Sequence, residues 1–172
     1  MIQKIADLLQ NVPGQMGREA LRLILGAVGG PLRNQMQVTA GLVIKTSSSA
    51  LAKTGASACY GFANGKPFTI AAGTDMPALS GTVTNEMYNV YVFSQDEYGN
   101  RYSAMGKEAA TLAGVKFPEL PANRAVIGYI FVHPSASPDF NFVGGTTALD
   151  VTGGNVVYVS PIGAFDPTVL QG

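Results

Sequence analysis

The sequence predicts a mainly β protein, in which an antiparallel β-sandwich or barrel-like domain over residues 34–172 follows a short helical N-terminal arm over residues 1–33. Two observations support this prediction. The spacing of apolar residues changes from helical to extended at about residue 36, and from there short apolar runs alternate with Gly, Pro, Asn and Ser turn signals. At 172 residues, the chain has the size of one domain with an appendage.

The arm has the apolar spacing of two short helices separated by a break. The second helix is predicted over residues 16–28 and ends at Gly-Gly-Pro, residues 29–31. Its apolar side, here called the arm stripe, consists of Leu21, Ile24, Leu25 and Val28. A helix this short gains most of its stability by docking such a stripe. The arm stripe either packs on its own domain or docks on another subunit, and the sequence leaves both alternatives open.

The β region contains seven runs that are typical of strands. Two of them, residues 59–62 and 67–70, flank Asn64-Gly65, the strongest short-range signal for a hairpin. The run at 87–93 is apolar on both alternating faces apart from Asn89, so we expect both faces to be covered. The run at 125–132 is the most apolar, and we expect it to be central. The other strands are predicted at 37–45, 101–105 and 155–160, and a short helix or turn at 108–113.

Composition argues against several classes of function. Eleven Lys and Arg balance eleven Asp and Glu, so the chain lacks the net positive charge that binds phosphate backbones or anionic lipid. With one Cys and one His, it cannot build an intrachain disulfide or the usual His-rich metal site. Charged residues are only 13% of the chain, against the ~25% that is usual for soluble domains. Such a weakly charged surface favours contact with other protein chains.

Neither a membrane span nor an export signal is predicted. The most apolar stretch, residues 21–32, contains Arg22 and is shorter than the ~20 apolar residues that a span needs. Asp7 and Pro13 interrupt the pattern of a secretory signal. We therefore expect a protein made in the cytoplasm without export, with no membrane and no nucleic acid among its partners.

No sequence pattern points to catalysis or to a cofactor. His133 lies between Val132 and Pro134, where a structural or surface histidine is expected, and Cys59 has no neighbouring cation that would lower its pKa. Nothing selects a glycosidase pair from the available carboxylates, which are Asp75, Asp96, Glu97, Glu119, Asp139 and Asp150. The prediction is a non-enzymatic protein without catalytic, cofactor-binding or metal-binding residues.

Four segments of the chain resemble segments of structural proteins from tailed-bacteriophage virions. They are KTGASA at 53–58, AAGTDMPALSGTV at 71–83, FPELPANRAVIGY at 117–129 and NFVGGTTALD at 141–150. The resemblance covers about residues 38–170 and includes no catalytic signature. It implies a virion component, either a capsid decoration (cement) protein or a head-fibre or tail-fibre component that contacts the host surface.

The resemblance also implies partners. A cement protein is made in the host cytoplasm, binds the shell of the major capsid protein and stabilises it, here as a homotrimer on the capsid surface. Phe140 and Phe142, in a loop bounded by Pro and Gly, are candidate capsid or subunit contacts together with the arm stripe. All of these residues are equally compatible with ordinary core packing.

Overall fold

The computed structural model describes residues 34–135 and 139–165 and confirms the mainly β prediction. The strands are β1 (Gln35–Met36), β2 (Val43–Ile44), β3 (Ala52–Lys53), β4 (Cys59–Ala63), β5 (Lys66–Ile70), β6 (Thr82–Val83), β7 (Asn89–Asp96), β8 (Arg101–Met105), β9 (Arg124–Val132), β10 (Phe142–Val143), β11 (Val157–Val159) and β12 (Gly163–Ala164). Within the described residues, the one helical element is a 3-10 turn, Leu112–Gly114. The predicted arm lies outside the described residues.

Two four-stranded antiparallel sheets form the framework of the fold. The first has the strand order β11-β9-β7-β8, and the second has the order β12-β1-β4-β5. Two smaller sheets, β2-β3 and β10-β6, contain two strands each. Since β9 is an inner strand that pairs with both β11 and β7, the prediction that the run at 125–132 is central is confirmed.

The predicted hairpin at Asn64-Gly65 is present. Ala63 pairs with Lys66, so the loop has two residues, and both have positive φ, 49° for Asn64 and 78° for Gly65. A two-residue loop with two positive φ angles is a type I′ turn, whose twist matches that of the flanking strands. Asn and Gly tolerate such angles better than other residues, so the sequence signal and the observed turn have the same physical cause.

The main core lies between the two large sheets, and β1 and β4 contact β9 across it. Its fully or almost fully buried members include Met36, Cys59 and Ile70 from one sheet, and Tyr91, Phe93, Ile127, Ile130 and Val132 from the other. Burying an Ile or Phe side chain contributes about 1.5–3 kcal/mol, so this set supplies much of the force that holds the sheets together. The arrangement is the antiparallel sandwich that the sequence predicts.

Strand β7 is buried along its whole length, because both faces of its sheet are covered. Tyr91 and Phe93 lie in the main core, whereas Val90 and Val92 lie on the other face, where they form a second cluster with Val126. The expectation that the run at 87–93 is covered on both faces is therefore confirmed.

A β-bulge in β9 changes which side chains face the main core. Phe93 pairs with Gly128, but the next residue, Ser94, pairs with Val126, so Ile127 is the extra residue. The extra residue shifts the alternation, and Ile127 and Ile130 both lie in the main core although they are three residues apart. A Cβ atom at Gly128 would lie 2.7 Å from the backbone oxygen of Val159, so the bulge requires glycine for its close approach to β11.

Three elements differ in extent from their predictions. The run at 37–45 is strand only at Val43–Ile44, because Gly41 has a φ of +55° that interrupts the extended backbone. The run at 155–160 is strand only at Val157–Val159, because Asn155 has a φ of 44°. Of the helix or turn predicted at 108–113, only residues 112–113 lie in the 3-10 turn Leu112–Gly114, and Ala109 forms a β-bridge with Tyr88 instead.

We expect the substitution Ile130→Asp to unfold the domain. Ile130 is fully buried in the main core. An unpaired charge there costs several kcal/mol, against a total stability of about 5–15 kcal/mol. Ile162→Asp makes the same change at a side chain that is 66% exposed, and this control should keep the wild-type urea midpoint. Circular dichroism in increasing urea measures both variants, and a wild-type transition in Ile130→Asp would show that the core is wrongly assigned.

Candidate interaction surface

Four aromatic rings lie on the side of the β11-β9-β7-β8 sheet that faces away from the main core. Tyr129 and Phe131 point to this side because they alternate with the core residues of β9. The ring centroid of Phe117, which precedes β9, is 5.3 Å from that of Tyr129, and Phe165, which follows β12, stacks on the same ring at 5.2 Å. The rings of Phe117, Tyr129, Phe131 and Phe165 are called the outer aromatic face below.

The outer aromatic face is only partly covered. Its rings pack on the second cluster, but each of them remains partly exposed. Val157 of β11 pairs with Phe131, so its side chain lies on the same side of the sheet, and it is 56% exposed. Burial raises the pKa of the Tyr129 hydroxyl, as expected for a phenol in apolar surroundings. A continuous, partly exposed apolar surface of this kind is suited to packing against another apolar surface.

The tips of the β4–β5 and β7–β8 hairpins contact each other. The Nζ atom of Lys66 lies 3.1 Å from Oε2 of Glu97 and 5.2 Å from the ring centroid of Tyr98. Hydrogen bonds from Lys66 and Asn64 lower the pKa of the Glu97 carboxyl. Because the two hairpins belong to different sheets, this contact connects the sheets at their tips. Since the side chain of Lys66 is 58% exposed, water screens the ion pair and it contributes little to stability, so its main effect is to position the two turns.

Asp96 organises the β7–β8 turn. Its Oδ1 atom accepts hydrogen bonds from the backbone N–H groups of Tyr98 and Asn100, both at 2.9 Å. Its Oδ2 atom accepts the side-chain amide of Asn100 at 3.0 Å and the hydroxyl of Tyr102 at 2.9 Å. Burial opposes ionisation of this carboxylate, but the four hydrogen bonds outweigh burial and lower the pKa of Asp96 to about 2. Asp96 is therefore a structural residue of the turn.

Two further candidate carboxylates, Asp75 and Asp150, also contact groups in loops. Asp75 forms an ion pair with Lys45, with 2.5 Å between Oδ2 and Nζ. Asp150 accepts the backbone N–H of Ser48 at 2.9 Å and so anchors a loop in which Ser48 has a positive φ of 61°. The remaining two, Glu119 and Asp139, are exposed. The contacts of Asp75, Asp96, Glu97 and Asp150 are accounted for by their roles in turns and loops.

Cys59 and His133 have surroundings that fit structural roles. Cys59 is a free thiol, fully buried in the main core, and burial raises its pKa. A thiol that is buried and protonated is a poor nucleophile. The ring of His133 stacks on that of Tyr88, with 3.8 Å between centroids and 5° between planes.

The predicted contact residues fall into three groups. Phe142 is fully buried in the main core, 6.3 Å from Tyr91 between ring centroids, so the prediction that it contacts another chain is wrong. Strand β10 has two residues of opposite orientation, and the one that faces outward is Val143, which is 40% exposed. Phe140 is partly buried, and its role as a contact stays a prediction. Leu21, Ile24, Leu25 and Val28 lie outside the described residues.

Sequence reasoning missed the outer aromatic face. The sequence predicts a central strand at 125–132, but a continuous apolar run does not show which residues face which side. The signal that could have found the face is the order Tyr-Ile-Phe-Val at 129–132, where aromatic and aliphatic residues alternate. Phe165 has no such signal, since its place depends on the long-range pairing of β12 with β1.

Comparisons of the chain with protein-family models, with curated proteins and with solved structures each return no match. In residues 34–135 and 139–165, no three His, Cys, Asp or Glu side chains are grouped so that they could hold a metal ion. In the same part of the chain, no helix has the length and apolar character needed to cross a bilayer. Hypotheses about function therefore depend on the surface of the domain and on the resemblance of its segments.

We expect Asp96→Asn to flatten the dependence of stability on pH between about 4 and about 2. The pKa of Asp96 in the folded state, about 2, is below its ordinary value of 3.8. Its hydrogen bonds therefore contribute fully above about pH 4, and the contribution is lost as the pH falls through about 2. Urea midpoints measured across this range test the prediction. Asp139→Asn is the matched control, since it removes the same charge from an exposed turn and should follow the wild type. Parallel curves for wild type and Asp96→Asn would contradict the assignment.

We expect Cys59 to be inert towards bulky thiol reagents until the protein unfolds, because its sulfur is fully buried. Ellman's reagent, added to native and urea-unfolded protein, measures this. The variant Ser57→Cys places a second thiol two residues away at an exposed position, and it should react with one equivalent in the native state. Rapid reaction of the wild-type protein under native conditions would show that this part of the main core opens readily.

Proposed function

We propose that this protein is a non-enzymatic structural component of a tailed-bacteriophage virion. In this proposal it is a capsid decoration (cement) protein that binds the major capsid protein shell as a homotrimer and stabilises the shell. The alternative is a head-fibre or tail-fibre component that contacts the host surface. The proposal starts from the resemblance of four segments, and three properties of the domain support it.

First, two of the segments that resemble phage structural proteins, 53–58 and 71–83, pack against each other. The hydroxyl of the fully buried Thr54 donates to the backbone oxygen of Ala71 at 2.9 Å and accepts the N–H of Thr74 at 2.8 Å. The backbone N–H of Gly73 donates to the oxygen of Gly55 at 2.9 Å. These two segments therefore form one packed unit of the domain.

Second, the segment 71–83 also contacts the resembling segment 141–150. Phe142 pairs with Val83 in the β10-β6 sheet, and the N–H of Gly144 donates to the oxygen of Gly81 at 2.8 Å. A Cβ atom at Gly144 would lie 2.9 Å from the backbone nitrogen of Ser80, so the close approach requires glycine. The glycine spacing in this segment therefore serves to pack one loop against another.

Third, the surface combines few charges with many exposed large apolar side chains. This is the observation that carries the proposal. Charged residues are 13% of the chain. The exposed large apolar side chains are Val43, Tyr60, Tyr98, Leu112, Val143, Val157 and Ile162. Repeated by the symmetry of a shell, many weak apolar contacts add up to firm attachment without any chemical reaction.

The proposal is tested on particles that lack this protein. If the protein is a cement, such particles should release their DNA at a lower temperature than wild-type particles, and addition of the purified full chain should restore the release temperature. The Ile130→Asp chain, expected to be unfolded, is the control and should not restore it. Native mass spectrometry should give three times the protomer mass of 17.9 kDa.

Different outcomes separate the alternatives. If particles without the protein are as heat-stable as wild type but adsorb poorly to the host, the fibre alternative replaces the cement proposal. If the protein is absent from purified virions, both alternatives are wrong. A purified chain that is monomeric at high concentration would contradict the homotrimer.

A further inference from the structure

The second cluster is a small core whose outer layer of side chains is still partly exposed to solvent. Val90, Val92 and Val126 are buried at its base, but the rings of the outer aromatic face above them are only partly covered, and Val157 beside Phe131 is 56% exposed. A sheet whose central strand is buried on both faces needs an apolar cover on each side. The second large sheet provides this cover for the main core. On the outer side, the described residues bury β7 but leave the rings that cover it partly exposed.

The chain enters the domain at the edge of the outer aromatic face. The side-chain amide of Asn34 donates to the backbone oxygen of Ala122 at 2.6 Å, two residues after Leu120, which packs against the second cluster. The next residue of the chain, Gln35, pairs with Ala164, and Phe165 follows directly and stacks on Tyr129. Asn34, the first described residue, therefore lies at the border of the outer aromatic face.

We propose that residues 16–28 of this same chain pack on the outer aromatic face, with the arm stripe against Tyr129, Phe131 and Val157. This selects packing on the domain itself from the two alternatives that the sequence leaves open. The docked segment completes the second cluster and forms the outer layer of the β11-β9-β7-β8 sheet. The proposal does not depend on the virion function, since it concerns contacts within one chain.

The length of the connecting chain allows this docking. Six residue steps separate Val28 from Asn34, and an extended chain of that length spans at most ~20 Å. The strands β9 and β11 are neighbours in the sheet, ~5 Å apart. A 13-residue helix is ~20 Å long, shorter than the ~30 Å of the nine-residue β9. The Gly-Gly-Pro sequence at 29–31 allows the chain to turn back over the sheet.

Tethering favours the chain's own segment over a segment from a second copy. A segment joined by a short linker has an effective concentration of ~1 mM, far above that of separate chains in dilute solution. Residues 166–172, which follow Phe165 in the sequence, contain only two large apolar residues, Val169 and Leu170, too few to cover the face. The side of the predicted helix that carries Glu19 and Arg22 would remain in water.

Cross-linking of the full chain tests the proposal. The double variant Leu25→Cys with Val157→Cys is treated with a short bismaleimide, and Cys59 does not compete because it is buried. The matched control replaces Leu25→Cys by Leu23→Cys, which at 100° per residue lies nearly opposite the arm stripe. We expect mass spectrometry to show an intrachain link from 25 to 157, at about fivefold or higher yield than from 23 to 157. Equal yields, or links that join two chains, would overturn the proposal.

Hydrogen–deuterium exchange on the full chain supplies a second measurement. In Leu25→Asp, the amides of residues 16–28 should exchange about tenfold or more faster than in wild type, because a docked apolar side chain has become charged. The β9 and β11 amides should also exchange faster. Leu23→Asp makes the same change on the opposite side and should leave both regions close to wild type. If the two variants behave alike, the arm stripe does not dock on this face.

Discussion

The burial of β7 on both faces is the constraint on which the rest of the structure depends. Its alternating side chains are apolar on both sides, so the sheet that contains it cannot leave either face to water. One face is covered by the second large sheet, whose hairpin at Asn64-Gly65 and return through β12 hold β1, β4 and β5 over it. The other face holds the second cluster, and the partly exposed rings above it form the surface on which residues 16–28 dock in our proposal.

Several of the charged residues shape turns and join loops. Asp96 gathers four hydrogen bonds in one turn, Asp150 holds the backbone of the loop at Ser48, and Glu97 connects two hairpin tips through Lys66. A carboxylate that accepts several hydrogen bonds in a turn is a geometric anchor, because its oxygens satisfy N–H groups that the turn leaves without strand partners. This use of charge accounts for those carboxylates without assigning them a reaction.

The proposed virion role and the proposed intrachain docking concern different parts of the surface. Docking of residues 16–28 would remove the outer aromatic face from contact with other proteins and leave other exposed apolar side chains, such as Tyr60, Leu112 and Val143, for a partner. Because the segments 53–58, 71–83 and 141–150 pack together, their sequences are constrained by packing as well as by any partner. The two proposals can therefore fail independently.

The sequence by itself determined the fold class, the type I′ hairpin, the central place of the run at 125–132 and the covering of both faces of the run at 87–93. These features follow from local periodicity and turn chemistry, which act over a few residues. Only the tertiary structure decided that Phe142 faces the core while Val143 faces out, that a bulge at Ile127 shifts the alternation of β9, and that Tyr129, Phe131 and Phe165 share one surface. These features depend on the register in which strands that are distant in sequence pair. A shift of one residue in the register moves every side chain of a strand to the opposite face.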